Sequence, residues 1–104
     1  MFEKLRRRKS ELLKILRTGD EAKRKEAIRE LAGFSFDNKV RESLEDVLLN
    51  DPDPEMRRLV AESFGKTTNK KVLAALEQAK ADDPSEEVRM EASEAIIKIK
   101  SHRL

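Results

Sequence analysis

Cysteine is absent from this 104-residue chain, and so are tryptophan and tyrosine. Without cysteine there is no disulfide, no thiolate metal site and no thiol nucleophile, and a reducing cytosol is tolerated. The aromatic fraction is 4%, all of it Phe, so the Trp or Tyr platforms on which single-stranded bases stack are missing. Gly and Pro number three each, and no glycine-rich loop exists to cradle a phosphate. The lone His102 lies in the last few residues with no second ligand spaced to help it. No Ser–His–acid set, His-x-x-x-His pair or twelve-residue calcium loop is present, so hydrolysis, phosphoryl transfer and metal catalysis find no support and no cofactor is expected. No apolar run approaches membrane-spanning length, and residues 1–18 are too charged for a signal-peptide core, which points to a soluble, cytoplasmic, non-enzymatic protein.

Charge is what the chain has instead. Lys and Arg total 23 and Asp and Glu 21, so 42% of residues are charged while the net charge is only +2. Balanced charge of this density fits solvated helix faces laced with i,i+4 pairs, and the Ala, Leu, Glu, Lys and Arg content favours helix throughout. High Lys and Glu with one Gln, Gln78, and no Cys leans toward a thermophilic source. The basic excess is concentrated: residues 1–18 carry +5, leaving −3 for the remainder.

Apolar periodicity predicts six helices and no strand. The first covers about 2–17, with Ser10 as a candidate break. The second starts at Thr18 or Asp20 and stops at Gly33. The third is capped by Asp37 or Asn38 and carries Val40, Leu44, Val47 and Leu48 at i, i+4, i+7, i+8. Asp53 caps the fourth, with Pro54 at its first position. Thr67 or Thr68 caps the fifth and Ser85 the sixth, with Lys98, Lys100 and Arg103 near its negative end. Phe34 and Phe36 fall in a loop, where at least one is expected to tuck between helices and an exposed one would be a contact site.

The helices repeat. Asp51-Pro52-Asp53-Pro54-Glu55-Met56-Arg57 returns 32 residues later as Asp83-Pro84-Ser85-Glu86-Glu87-Val88-Arg89, and Val40 and Leu44 return as Val72 and Leu76. A fainter copy places Arg24, Ala27 and Leu31 ahead of Arg57, Val60 and Phe64. Self-similarity at this period indicates a stacked array. The expected division of the single domain 1–104 is an N-terminal helix (1–18), two hairpins (19–50 and 51–82) and a terminal helix (83–104). Arg24, Arg57 and Arg89 at one helical position, with Asp51 and Asp83 at one turn, read either as an anion-binding ladder or as repeat-to-repeat clamps. Nearest-neighbour stacking favours the clamps.

Through Asp51–Gly65, with Ala61-Glu62-Ser63-Phe64-Gly65 closing the helix, and through Asp83–Ala92, the chain resembles HEAT-like repeats of the short, roughly 30-residue kind also seen in phycobilisome-lyase-type proteins. The likeness spans about 20–100. It departs from the family pattern at Met56, Val60 and Ile97. The resemblance implies an all-α fold, a short α-solenoid of about six antiparallel helices whose second helices line a concave, partner-binding face. It also implies a scaffold rather than a catalyst, and lyase activity in a few relatives only within larger assemblies.

Three functional readings follow. In the first, a protein–protein interaction scaffold, the contact surface comprises Lys39, Glu42, Glu45 and Asp46 on one second helix and Lys70, Lys71, Ala74, Glu77 and Gln78 on the other. In the second, Arg6, Arg7, Arg8, Lys9 and Lys14 bind nucleic acid or an anionic surface. The competing view of that run is the solvated face of a terminal helix. In the third, resting on the family alone, the chain is an accessory subunit of a lyase-type complex. Met90 and Ile97 lie off the main stripe of the sixth helix, and an uncapped array end favours association, so a weak homodimer through that helix is also expected.

Overall fold

A computed structural model describes residues 2–102. Six α-helices are present among them: α1 (Phe2–Thr18), α2 (Glu21–Ala32), α3 (Asn38–Asn50), α4 (Pro54–Phe64), α5 (Leu73–Asp82) and α6 (Glu86–Lys100). No strand occurs among the described residues. The helices form a slab of 37 × 35 × 17 Å, two layers thick. α2, α4 and α6 are successive neighbours in one layer, and α1, α3 and α5 in the other. This is a short α-solenoid. Among helices consecutive in the chain, the closest pairs, α1/α2, α3/α4 and α5/α6, straddle the short turns at Gly19, Asp51 and Asp83. Packing is thus tightest between the segments 1–18, 19–50, 51–82 and 83–104, across their boundaries, rather than within the two middle ones. Arg103, expected near the end of the last helix, lies outside the described residues.

Local chemistry sets most boundaries. Asp20 rather than Thr18 caps α2: its carboxylate accepts from Lys23 N, while the Thr18 hydroxyl turns back to Lys14 O. Asp37 caps α3, Asp53 caps α4 with Pro54 beside it, and Ser85 caps α6. Ser10 does not break α1, because it faces solvent on an otherwise continuous helix. At the fifth helix the cap is neither Thr67 nor Thr68. Asn69 caps a 3₁₀ turn, Lys70–Val72, that runs directly into α5.

α4 is the central element. Its Met56, Arg57, Leu59, Val60, Ala61, Ser63 and Phe64 are all buried, because α2, α3 and α6 cover it. Leu31, Leu44, Leu48, Leu76 and Ile99 complete a continuous core. Phe34 packs against this core and Phe36 stands 71% exposed.

Gly33 and Gly65 end their helices with φ of −68° and −63°, in the ordinary right-handed region. Neither is a left-handed cap. Gly65 is small for a different reason: a Cβ there would sit 3.2 Å from both Cα and Cβ of Ala95 on α6. Gly65→Val should therefore force α4 and α6 apart and lower the melting temperature, by about 2 kcal/mol of stability. Gly33→Ala meets only the Glu30 carbonyl, at 3.3 Å, and should be neutral or stabilising by about 0.5 kcal/mol, since Ala narrows the unfolded ensemble. Thermal unfolding of both variants tests the difference.

Candidate functional site

The repeated charges meet at the turns. Arg57 reaches out of α4 with its side chain 10% exposed and forks onto Asp83, from Nε at 2.8 Å and Nη2 at 3.2 Å. Its Nη1 donates to the Asp51 carbonyl at 2.7 Å. Arg24 likewise donates to the Asp51 carboxylate and to the Leu16 carbonyl. Arg89 makes the equivalent bond to the Asp83 carbonyl at 2.7 Å. Asp51 Oδ1 also accepts from Asp53 N, and Asp83 Oδ1 from Ser85 N, so every junction also shapes the next helix entry. These groups are consumed by one another, and the geometry offers no free anion ladder.

A second ladder lies at the opposite ends of the helices, and the sequence reading missed it. The hydroxyls of Ser35 and Thr67 share a hydrogen bond of 2.7 Å. Asn69 Nδ2 donates to the Ser35 carbonyl at 2.8 Å, and Asn69 N to Thr67 Oγ1 at 3.1 Å. All three residues are buried. Its signal was present: Ser35 and Thr67, and the caps Asp37 and Asn69, are each one 32-residue period apart.

The basic run of α1 is divided by its neighbours. Arg8 binds Glu30 of α2 with two bonds, 2.7 and 2.8 Å, and holds the Glu30 carboxyl below the usual carboxylate range. Lys9 donates to Asp37 at 2.9 Å and sits 5.9 Å over the Phe34 ring. That hydrogen bond, with another from Val40 N, holds the Asp37 carboxyl down. Arg7 lies 3.8 Å from Glu3. Arg6 and Lys14 have no ion-pair partner among the described residues. On α4, Arg58 holds the Glu55 carboxyl down and reaches Glu62 and Glu91 as well.

An open groove of about 770 Å³ runs between α1 and α3. Leu13, Leu16 and Val47 form its apolar floor; Lys14 and Arg17 rise on one side and Lys39, Glu42 and Asp46 on the other. The groove thus gathers three of the four charged candidates on α3. Glu45 is excluded, turned aside into bonds of 3.1 and 3.2 Å with Arg41. Lys70, Lys71, Ala74 and Glu77 are exposed along the 3₁₀ turn and α5, and Gln78 borders a smaller hollow of about 200 Å³ over the Arg57–Asp83 junction. They do not join the α3 set in one pocket. Among the described residues no three metal-ligating side chains converge, and no helix is long and apolar enough to cross a membrane.

The family model for HEAT repeats matches residues 10–97. The chain is a HEAT-repeat protein. The match spans the slab from the middle of α1 to near the end of α6, so both ladders fall inside it. Comparison with curated proteins and with solved structures gives no match. HEAT repeats stack through nearest neighbours, and the Arg24–Asp51 and Arg57–Asp83 pairs are where this HEAT-repeat chain does so.

Removing one partner of a buried pair leaves the other charge uncompensated. Arg57→Ala should cost about 3 kcal/mol in thermal or denaturant unfolding, and Arg24→Ala less, because Arg24 is more exposed (20% against 10%). Acid should act through the depressed carboxyls. Their stabilisation is complete above the ordinary values of 4.5 for Glu30 and Glu55 and 3.8 for Asp37, and is lost as the pH falls through their lower folded values. The melting temperature should hold level from neutrality to about pH 5 and decline below about pH 4, which a pH series of melts checks.

Proposed function

We propose that this HEAT-repeat protein is a non-catalytic protein–protein interaction module and that the α1–α3 groove is its contact surface. One observation carries the reading. Lys14, Arg17, Lys39, Glu42 and Asp46 surround an apolar floor, yet none forms an ion pair among the described residues, whereas Arg8, Lys9, Arg24, Arg41, Arg57 and Arg58 are all paired. A basic α1 wall and a mixed α3 wall of one cation and two anions, over Leu13, Leu16 and Val47, suit an amphipathic helix laid along the groove. Its apolar face would fill the floor and its flanks would carry complementary charge. A cysteine-free chain of this kind suits work in the cytoplasm.

Anion binding by Arg6, Arg7, Arg8, Lys9 and Lys14 is the weaker alternative, since Arg8 and Lys9 are committed to Glu30 and Asp37. Nothing in the fold favours the accessory-lyase reading.

The test is affinity purification from the native host, comparing the wild-type chain with Lys14→Glu/Lys39→Glu and with Lys80→Glu, an exposed control on α5. A partner retained by the wild type and the control but lost from the double variant, with unchanged melting, is the expected result. Equal recovery by all three would remove the groove from consideration. Retention of RNA or DNA at physiological salt, with a steep salt dependence, would favour the anionic alternative.

A further inference from the structure

The outward face of α6, at the far end of the slab from the groove, leaves its two large apolar side chains uncovered: Met90 is 58% exposed and Ile97 64%. At about 100° and 1.5 Å per residue they fall within about 20° of each other and about 10.5 Å apart along the axis. Glu86 and Glu94 share their stripe. Glu87 and Lys98 flank it on one side and Lys100 on the other, all five exposed. The N-terminal half of this face is acidic and its C-terminal half basic.

We propose that this face binds a second copy of the same chain through an antiparallel α6–α6 contact with two-fold symmetry. A two-fold axis near Ser93 and Glu94 sets Met90 on the partner's Ile97, and Ile97 on the partner's Met90. In the same register Glu86 lies level with the partner's Lys100 on one flank. On the other flank Lys98 lies level with the partner's Glu87. Symmetry doubles both, giving four cross-chain pairs around two apolar contacts, which is the self-complementarity an isologous dimer requires. Among the described residues Glu86, Lys98 and Lys100 have no ion-pair partner within their own chain. Charge also rejects the other obvious occupant. If α1 of a second copy took the place of the next antiparallel helix of the array, Arg6 and Arg7 would lie beside Lys98 and Lys100. One helix face is far smaller than the roughly 800 Å² per partner of a standard stable interface, so the dimer is weak and depends on concentration.

The test is the mass of the full chain by sedimentation equilibrium over rising concentration. The expected result is a monomer–dimer equilibrium that stops at two. Glu86→Lys and Lys100→Glu each turn two attractive pairs repulsive and should weaken the dimer about tenfold. The double variant Glu86→Lys/Lys100→Glu should restore it, because both copies then carry the exchanged pair. Ile97→Gln should weaken it as well, and Glu94→Gln should tighten it, since the two Glu94 carboxylates meet near the axis. The four substituted positions are exposed, and circular dichroism should report unchanged helicity. A mass constant at one chain overturns the proposal, as do growth past two chains, which is the signature of open head-to-tail stacking, and a double swap no tighter than the single ones.

Discussion

The fold depends on how a helix in one repeat is held against the turn of the next, and the Arg57 guanidinium carries that constraint. It is buried, and its nitrogens are taken by the carboxylate of Asp83 and the carbonyl of Asp51. A planar fork can satisfy two turns at once where an ammonium cannot. The two aspartates then accept backbone N–H groups that begin the following helices. The same few atoms therefore end one helix, start another and fix the spacing between repeats. Arg24 repeats the arrangement one unit earlier with more solvent around it.

The opposite edge of the slab is held differently. Ser35, Thr67 and Asn69 exchange neutral hydrogen bonds in a buried loop pair, while Lys9 and Arg8 tie α1 to the Asp37 cap and to α2. Ionic clamps at one edge and neutral or surface bonds at the other hold the two layers in register. Between them the core is aliphatic with a single central aromatic, Phe64. A slab three helices wide has little interior to spare, and at Gly65 the α4 backbone lies close against Ala95 of α6.

These commitments divide the surface into charges that are used and charges that are not. Arg8, Arg24, Arg57 and Arg58 are occupied in tying one element of the array to another. Two sets of unpaired charge border apolar side chains, one at the α1–α3 groove and one on the outward face of α6. They lie at opposite ends of the solenoid, so a partner in the groove and a second copy on α6 do not compete for the same surface.

Much of this was legible without coordinates. Helix periodicity, the Asp53, Pro54 and Ser85 entries and the 32-residue return of the Asp-Pro turn depend on residues close in sequence, which is why they can be read from it. The sequence alone determined an all-helical repeat array and its class. Tertiary structure decided the rest: that Asn69 caps the 3₁₀ turn leading into α5 while Thr67 serves Ser35, that Gly65 is a packing residue facing Ala95, that Glu45 turns to Arg41 and leaves the groove, and that Arg8 and Lys9 are committed to α2 and its loop. At Gly65 the decision is one of packing; in the other cases a side chain could satisfy its polar atoms in more than one way, and which way prevailed was set by what the fold placed within reach.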